Sequence, residues 1–196
     1  MNKFILCLLV LMPLSTLVHG QEKKAQDEQI VVAKYDRFKE STTITLSDQR
    51  MQRFLKICNL RPYLIASISF KGKVPTDNAP AVELVLVSVN EDWMYIRDHK
   101  LYALLDDKPM TMPETTHDGQ TWSGGDVFES VYFVLAWDKF VRLCNAHKVE
   151  FKLGIKEFEL APVELKALRQ VREKYKEMLK DGKEEPKPPK ALASLD

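Results

Sequence analysis

The chain is 196 residues long and carries 29 Lys and Arg residues against 28 Asp and Glu residues, a formal net charge of +1. A balance this close to neutral provides no long-range attraction for nucleic acid or for an anionic membrane surface, so we expect neither as a partner. The length suits one domain with short flanking segments, and the sequence shows no internal repeat of the kind that builds solenoids or propellers.

Residues 1–20 have the layout of a secretory signal peptide. Lys3 gives a short positive start, Phe4–Val18 is apolar, and small residues precede a predicted cleavage point before Gln21. Pro13 interrupts the apolar run, and a helix that crosses a bilayer needs about 20 apolar residues, more than this run contains. We therefore expect a cleaved signal, an exported mature protein in the periplasm or outside the cell, and no stable membrane span after cleavage.

The predicted domain covers residues 30–180. Residues 21–29 before it are polar and charged, which predicts a flexible lead-in. Ile30–Phe38 begins the domain with spaced apolar residues, and the alternation in Ser41–Leu46 predicts a half-exposed strand.

The segment Ser47–Cys58 fits two interpretations. Its apolar residues from Met51 to Cys58 recur at helical spacing, which favours a helix, whereas its place between two strands would also suit a β connection. Ala81–Val89 is apolar on both faces and is predicted to be a central, buried strand. The other strands predicted in this half of the chain are Tyr63–Phe70, Trp93–Ile96, Lys100–Leu105 and, after a turn at Asp106-Asp107, Pro109–Met112.

The second half of the domain is predicted to contain two helices. The elements expected there are a strand at Val127–Leu135, a short helix at Trp137–Cys144, a hairpin at Lys148–Leu160 turning at Gly154-Ile155, and an amphipathic helix at Pro162–Lys180 with Leu165, Leu168, Val171, Tyr175 and Met178 as its buried stripe. Residues 181–196 are rich in proline and charge, which predicts a disordered tail. The predicted fold is therefore α+β, with a mostly antiparallel sheet or two packed sheets covered by a short helix and a C-terminal amphipathic helix.

Several runs resemble a known group of proteins. The runs are Tyr35–Phe38, Thr42–Leu46, Lys100–Ala103, Val149–Gly154 and Glu157–Leu160. Together they are similar to a loose group of secreted bacterial proteins with no assigned function, and this resemblance extends over most of the mature chain. The resemblance implies a bacterial, exported protein and carries across no activity and no site residue.

Two cysteines follow the signal segment, Cys58 and Cys144. An even count in an oxidising compartment allows one disulfide, which would stabilise the fold by about 4 kcal/mol in the chain-entropy model. Two buried free thiols are the equal alternative, because cysteine is often buried as a small apolar residue. Sequence spacing does not report distance, so the sequence leaves both open.

The loop Pro113–Asp126 is the predicted site of contact with a ligand or partner. Loops of this length often carry function, and oxygen ligands on a flexible loop suit calcium. The residues predicted to make the contact are Glu114, His117, Asp118, Trp122 and Asp126. Trp122 lies among glycines and is predicted to be an exposed anchor for a protein or glycan, whereas the competing interpretation is a solvated polar loop.

No catalytic site or cofactor is predicted. Ser123 beside His117 and Asp126 suggests a serine hydrolase, but the sequence lacks the G-x-S-x-G elbow. His99, His117 and His147 are isolated, lack metal-ligand spacing and are predicted to be surface residues. We therefore expect a non-enzymatic interaction module that binds another envelope or secreted protein. The alternatives are a small-ligand or calcium-binding protein using loop 113–126 and a hydrolase with an unfamiliar site.

Overall fold

The structure, a computed structural model, describes residues 31–47 and 61–182. The strands of these residues, in chain order, are β1 (Val31–Asp36), β2 (Ser41–Leu46), β3 (Tyr63–Lys71), β4 (Val82–Asn90), β5 (Leu101–Leu105), β6 (Lys108–Met110), β7 (Thr116–Thr121), β8 (Val127–Leu135), β9 (Val149–Leu153) and β10 (Lys156–Glu159). The helices are α1 (Trp137–Asn145), between β8 and β9, and α2 (Pro162–Asp181), after β10. The fold is broadly α+β and mainly strand, which confirms the predicted class.

Several predictions concern parts of the chain outside these residues. They are the signal peptide, the lead-in, the helix or β connection at 48–58, and the tail from residue 183 onward. Among the residues that the structure does describe, no helix combines the length and the apolar character needed to cross a bilayer.

The strands form two antiparallel sheets. The larger sheet has the order β1-β2-β3-β4-β8-β7, and the smaller has the order β10-β9-β5-β6. The two central strands of the larger sheet are β3 and β4, and β4 pairs on its other side with β8, from Val82 opposite Leu135 to Asn90 opposite Val127. This central place agrees with the prediction that β4 is buried. β7 lies at one edge, and in the described chain it pairs with β8 alone.

Helix α2 covers one end of the larger sheet. It packs against β1, β2 and β3, and its stripe of Leu165, Leu168, Val171 and Tyr175 is at most 6% exposed. Burying a side chain of this size stabilises the fold by about 1.5–3 kcal/mol. The predicted amphipathic helix is therefore confirmed, and it extends one residue beyond its predicted end.

The Glu164 carboxylate ties the start of α2 to the sheet. It is fully buried and accepts hydrogen bonds from the Ala161 N–H at 2.8 Å and from the Leu64 N–H of β3 at 3.0 Å, and it forms an ion pair with Arg61. The N-cap residue Ala161 has no side chain that can cap the helix, and the Glu164 side chain instead satisfies the Ala161 N–H at this end. Its negative charge also lies at the positive end of the helix dipole.

Two predicted turns are present. Asp106 and Asp107 join β5 to β6 with φ values of 49° and 63°, a left-handed conformation that aspartate tolerates, and Gly154 has φ 54° between β9 and β10. The Asp106 carboxylate accepts hydrogen bonds from the N–H groups of His147 and Lys148, both at 2.9 Å. These N–H groups hold the pKa of Asp106 below its usual value.

Two other predictions are wrong. Trp93–Ile96, predicted to be a strand, is irregular, because the N–H groups of Met94 and Tyr95 bond to the side chain of Glu129 instead of to a neighbouring strand. Pro113–Gly125, predicted to be irregular, contains β7. An edge strand needs no alternation of apolar residues, so the polar composition of this segment was misleading.

Candidate functional site

The predicted contact residues lie on and around the β7–β8 hairpin. β7 pairs with β8 from Thr116 opposite Tyr132 to Thr121 opposite Val127. Alternate side chains of a strand point to opposite faces, so His117 lies on the core face of the sheet and Asp118 on the outer face. The structure therefore does not bring these two predicted residues into one site.

Trp122 and Asp126 meet where the hairpin turns. The Trp122 N–H donates to the Asp126 carbonyl at 2.7 Å, and the Gly125 N–H donates to the Trp122 carbonyl at 3.0 Å. Gly125 has φ 93°, a conformation that L side chains rarely adopt. The Trp122 ring stacks on Phe128 of β8 with 5.3 Å between centroids and remains 41% exposed. Trp122 is thus fixed on the outer face with part of its surface open to solvent.

Glu129, which sequence analysis did not single out, organises the core face at this edge. Its side chain is fully buried, and its Oε1 accepts hydrogen bonds from the Tyr95 N–H at 2.8 Å and from His117 Nε2 at 3.0 Å. Its Oε2 accepts from the Met94 N–H at 2.9 Å. The residue had a signal in the sequence, because alternation along Val127–Leu135 places this one carboxylate among apolar side chains.

His117 is not a surface histidine. Its side chain is 10% exposed, and its ring lies 6.0 Å from the ring of His99 and 6.1 Å from the ring of Trp93. Since Nε2 donates to a carboxylate, the proton on that nitrogen is fixed. The ring is therefore held as a structural support for the Glu129 carboxylate.

The Trp93 ring covers the core face of β7. A Cβ atom added at Gly119 would lie 2.6 Å from Cζ3 of Trp93, so the indole contacts the strand backbone where no side chain intervenes. Trp93 is 40% exposed. It is held there because Glu129 fixes the two residues that follow it, Met94 and Tyr95. Burial and the charge of Glu129 raise the pKa of Tyr95 to about 12.

The edge of β7 has backbone groups that point away from β8. Trp122 and Asp126 form a hydrogen-bonded pair, and in an antiparallel ladder such pairs alternate with pairs whose N–H and C=O groups point outward. The outward positions on β7 are therefore His117, Gly119 and Thr121. In the described chain these groups make no hydrogen bond to another strand.

Asp118 covers one of these outward groups. Its Oδ1 accepts a hydrogen bond from the Gly119 N–H at 2.8 Å, which agrees with the outward direction of that N–H. Asp118 itself is exposed. Charged side chains on edge strands are a common device against unwanted strand pairing.

Glu114 lies apart from the hairpin, in the wall of a neighbouring cavity of about 590 Å³ that Arg97, His99 and Lys100 also line. Thr115, the next residue, donates its only hydroxyl proton to the His99 carbonyl at 2.8 Å. The 2.8 Å contact between Thr115 Oγ1 and His99 Nδ1 therefore requires the proton to be on Nδ1.

The structure does not join Ser123 to His117, the pair that suggested a serine hydrolase. No hydrogen bond joins Ser123 to His117, because His117 Nε2 is bonded to Glu129 and Ser123 lies in the exposed turn. In residues 31–47 and 61–182, no three or more His, Cys, Asp or Glu side chains come together as a metal site.

The predicted disulfide involves one described cysteine. Cys144 is fully buried in α1 as a free thiol, whereas Cys58 lies outside the described residues. Burial raises the pKa of the Cys144 thiol to about 12. The bridge and the pair of buried free thiols, which the sequence leaves as equal alternatives, both stay predictions.

Within residues 31–47 and 61–182, the site is thus a strand edge that pairs with no further strand, flanked by Trp93 on one face and Trp122 on the other. Its geometry is the basis for any statement about function, since no protein-family model matches this chain and a comparison with curated proteins gives no match.

Proposed function

We propose that the mature chain is an exported, non-enzymatic binding module of the bacterial cell envelope, and that it binds a partner protein through the free edge of β7. The observation that carries this proposal is the pair of half-exposed tryptophans beside the outward backbone groups. An extended segment that adds to β7 would gain backbone hydrogen bonds, and the two indoles would contact its two faces.

Both tryptophans are held in place before any partner binds. Phe128 supports Trp122 through ring stacking, and Gly119 together with the Glu129 carboxylate fixes Trp93. Anchors that need no ordering lose little conformational entropy on binding, so more of the contact energy is available as affinity. Tryptophan is also among the residues that dominate binding energy at protein interfaces.

The cellular setting rests on sequence alone. The apolar first 20 residues favour export, and the resemblance to secreted bacterial proteins favours the envelope or the outside of the cell. The partner is accordingly another envelope or secreted protein.

The test is crosslinking in cells of the tagged chain with its own signal, followed by mass spectrometry of the captured proteins. Thr121→Pro removes an outward N–H group, and proline is tolerated on an edge strand at such a position. Thr121→Val keeps that N–H and is the matched control. We expect Thr121→Pro and Trp122→Ala to reduce capture of the partner about tenfold and Thr121→Val to preserve it. Equal capture by all three variants would refute the proposal.

A second candidate is the binding of a small ligand in the cavity beside Glu114. Its volume of about 590 Å³ lies in the range of ligand sites, and Arg97 and Lys100 line it without an ion pair in the described chain. A thermal-shift screen with amino acids, dicarboxylates and calcium would detect binding, because saturation at 100 times Kd stabilises a protein by about 2.7 kcal/mol. A response to an amino acid or a dicarboxylate that survives Arg97→Gln and Lys100→Gln would place that ligand elsewhere.

A further inference from the structure

The part of the larger sheet that contains β7 has acidic side chains and no Lys or Arg. Neither residue type occurs from Val74 to Ile96 or from Pro109 to Asp138, although the whole chain is almost neutral. These two segments contain β4, β7 and β8 together with both tryptophans of the site. The exposed acids next to the site along the chain are Glu91, Asp92, Glu114, Asp118 and Asp126.

The uneven distribution changes what the near-zero net charge means. Total charge governs attraction at long range, but attraction at contact is set by the charges within about 10 Å at physiological salt. A basic segment that approaches β7 meets the exposed carboxylates of these two segments, which contain no cation of their own, whereas an acidic segment is repelled. Arg97 and Lys100 lie beyond the start of β7, in the cavity wall with Glu114.

Asp118 adds a second condition for binding. Its carboxylate occupies the Gly119 N–H, which is an outward group at the middle of the edge. An added strand can use this N–H only after the Asp118 side chain rotates away. A lysine or arginine of the incoming segment can then pair with the released carboxylate, so Asp118 exchanges its hydrogen bond with the Gly119 N–H for an ion pair.

We propose that the partner contributes an extended, basic segment that pairs with β7 and draws the Asp118 carboxylate away from the Gly119 N–H. This inference rests on the proposed function and adds the chemistry of the partner. Neutral and acidic segments leave Asp118 on the Gly119 N–H, and the edge stays closed to them. The same carboxylate therefore protects the edge and selects the partner.

The probe is a capped octapeptide of alternating lysine and threonine, and the control is the same peptide with glutamate in place of lysine. Amide chemical shifts of the purified mature protein report where each peptide binds. We expect the lysine peptide to shift the amide signals of His117, Gly119 and Thr121 and the glutamate peptide to leave them unchanged. Affinity should fall about threefold between about 50 and about 200 mM salt, because the contact is electrostatic.

Two variants separate the displacement of Asp118 from its charge. Asp118→Asn and Asp118→Ala both remove the negative charge, but only asparagine keeps an oxygen that can accept from the Gly119 N–H. We expect the alanine variant to bind the lysine peptide about two- to tenfold more tightly than the asparagine variant, the value of one hydrogen bond.

Each outcome bears on one part of the inference. Equal binding of both peptides, or shifts confined to other residues, would overturn the basic partner class. Equal affinity of the two Asp118 variants would overturn the displacement. If the lysine peptide fails to bind while Thr121→Pro still abolishes capture in cells, the basic class is wrong and the proposed function stands. If capture is also independent of Thr121→Pro, the proposed function itself fails.

Discussion

Replacing Glu129 by alanine tests the support beneath Trp93. The change removes a buried carboxylate that accepts from Met94 N–H, Tyr95 N–H and His117 Nε2 at 2.8–3.0 Å. A hydrogen bond to a charged group contributes about 1.5–3 kcal/mol, but partial access of water to Met94 and relaxation of the segment recover part of the sum. We expect a net loss of about 3–5 kcal/mol, as for other broken buried pairs.

A loss of this size is easy to measure. In a chain of 150–250 residues it lowers the melting temperature by about 6–20 °C, and urea denaturation followed by circular dichroism gives the free energy directly. Glu91→Ala, at an exposed position, is the matched control and should change stability by less than about 0.5 kcal/mol. The fluorescence of Trp93 should also shift toward that of a solvated indole. If the free energy of unfolding of Glu129→Ala lies within about 1 kcal/mol of the parent value, the reasoning is refuted, since a change that small is close to the about 0.5 kcal/mol expected for the control.

Three more changes have defined outcomes. Tyr95 should ionise near pH 12 in an ultraviolet titration compared with Tyr95→Phe. Its pKa in the folded protein lies above the ordinary tyrosine value of 10.0. Its contribution to the free energy of unfolding, on the order of 2–3 kcal/mol, is therefore present below pH 10 and is lost as the pH rises toward 12. Gly119→Ala should displace the Trp93 ring and cost about 1–3 kcal/mol, and an unchanged melting temperature together with unchanged fluorescence would contradict the contact. Cys144 should resist thiol reagents at neutral pH until the protein unfolds, whereas rapid labelling mapped to Cys144 would show that it is accessible.

The sequence predicted those helices, strands and turns whose structure follows from the pattern of residues within the element itself. The stripe of α2 and the alternation of β2 are visible because each buries one apolar face, and the turn at Asp106 carries residues suited to a left-handed backbone. β7 escaped detection because a strand at a sheet edge can be polar on both faces. The irregular course of Trp93–Ile96 depends on Glu129, which lies more than 30 residues farther along the chain.

The site was predicted only in part, because local residue patterns reveal some of its residues and not the strand that arranges them. Trp122 stood out because a large aromatic residue among glycines is unusual, and Asp118 was included for its charge. His117 and Asp118 point to opposite faces of the sheet, and this can be predicted only when the segment is known to be a strand. The role of Trp93 depends on contact with Gly119, and no local pattern of residues reports such a contact.

The tie between α2 and β3 also sets the time at which the protein can finish folding. Glu164 bonds to the Leu64 N–H, and α2 supplies the cover for β1, β2 and β3, which are made first. A chain emerging from a ribosome has these three strands available before α2, the helix that covers them. Contacts over such sequence distances slow folding. The fold is therefore completed only after α2 is available, 100 residues beyond Leu64 in the chain.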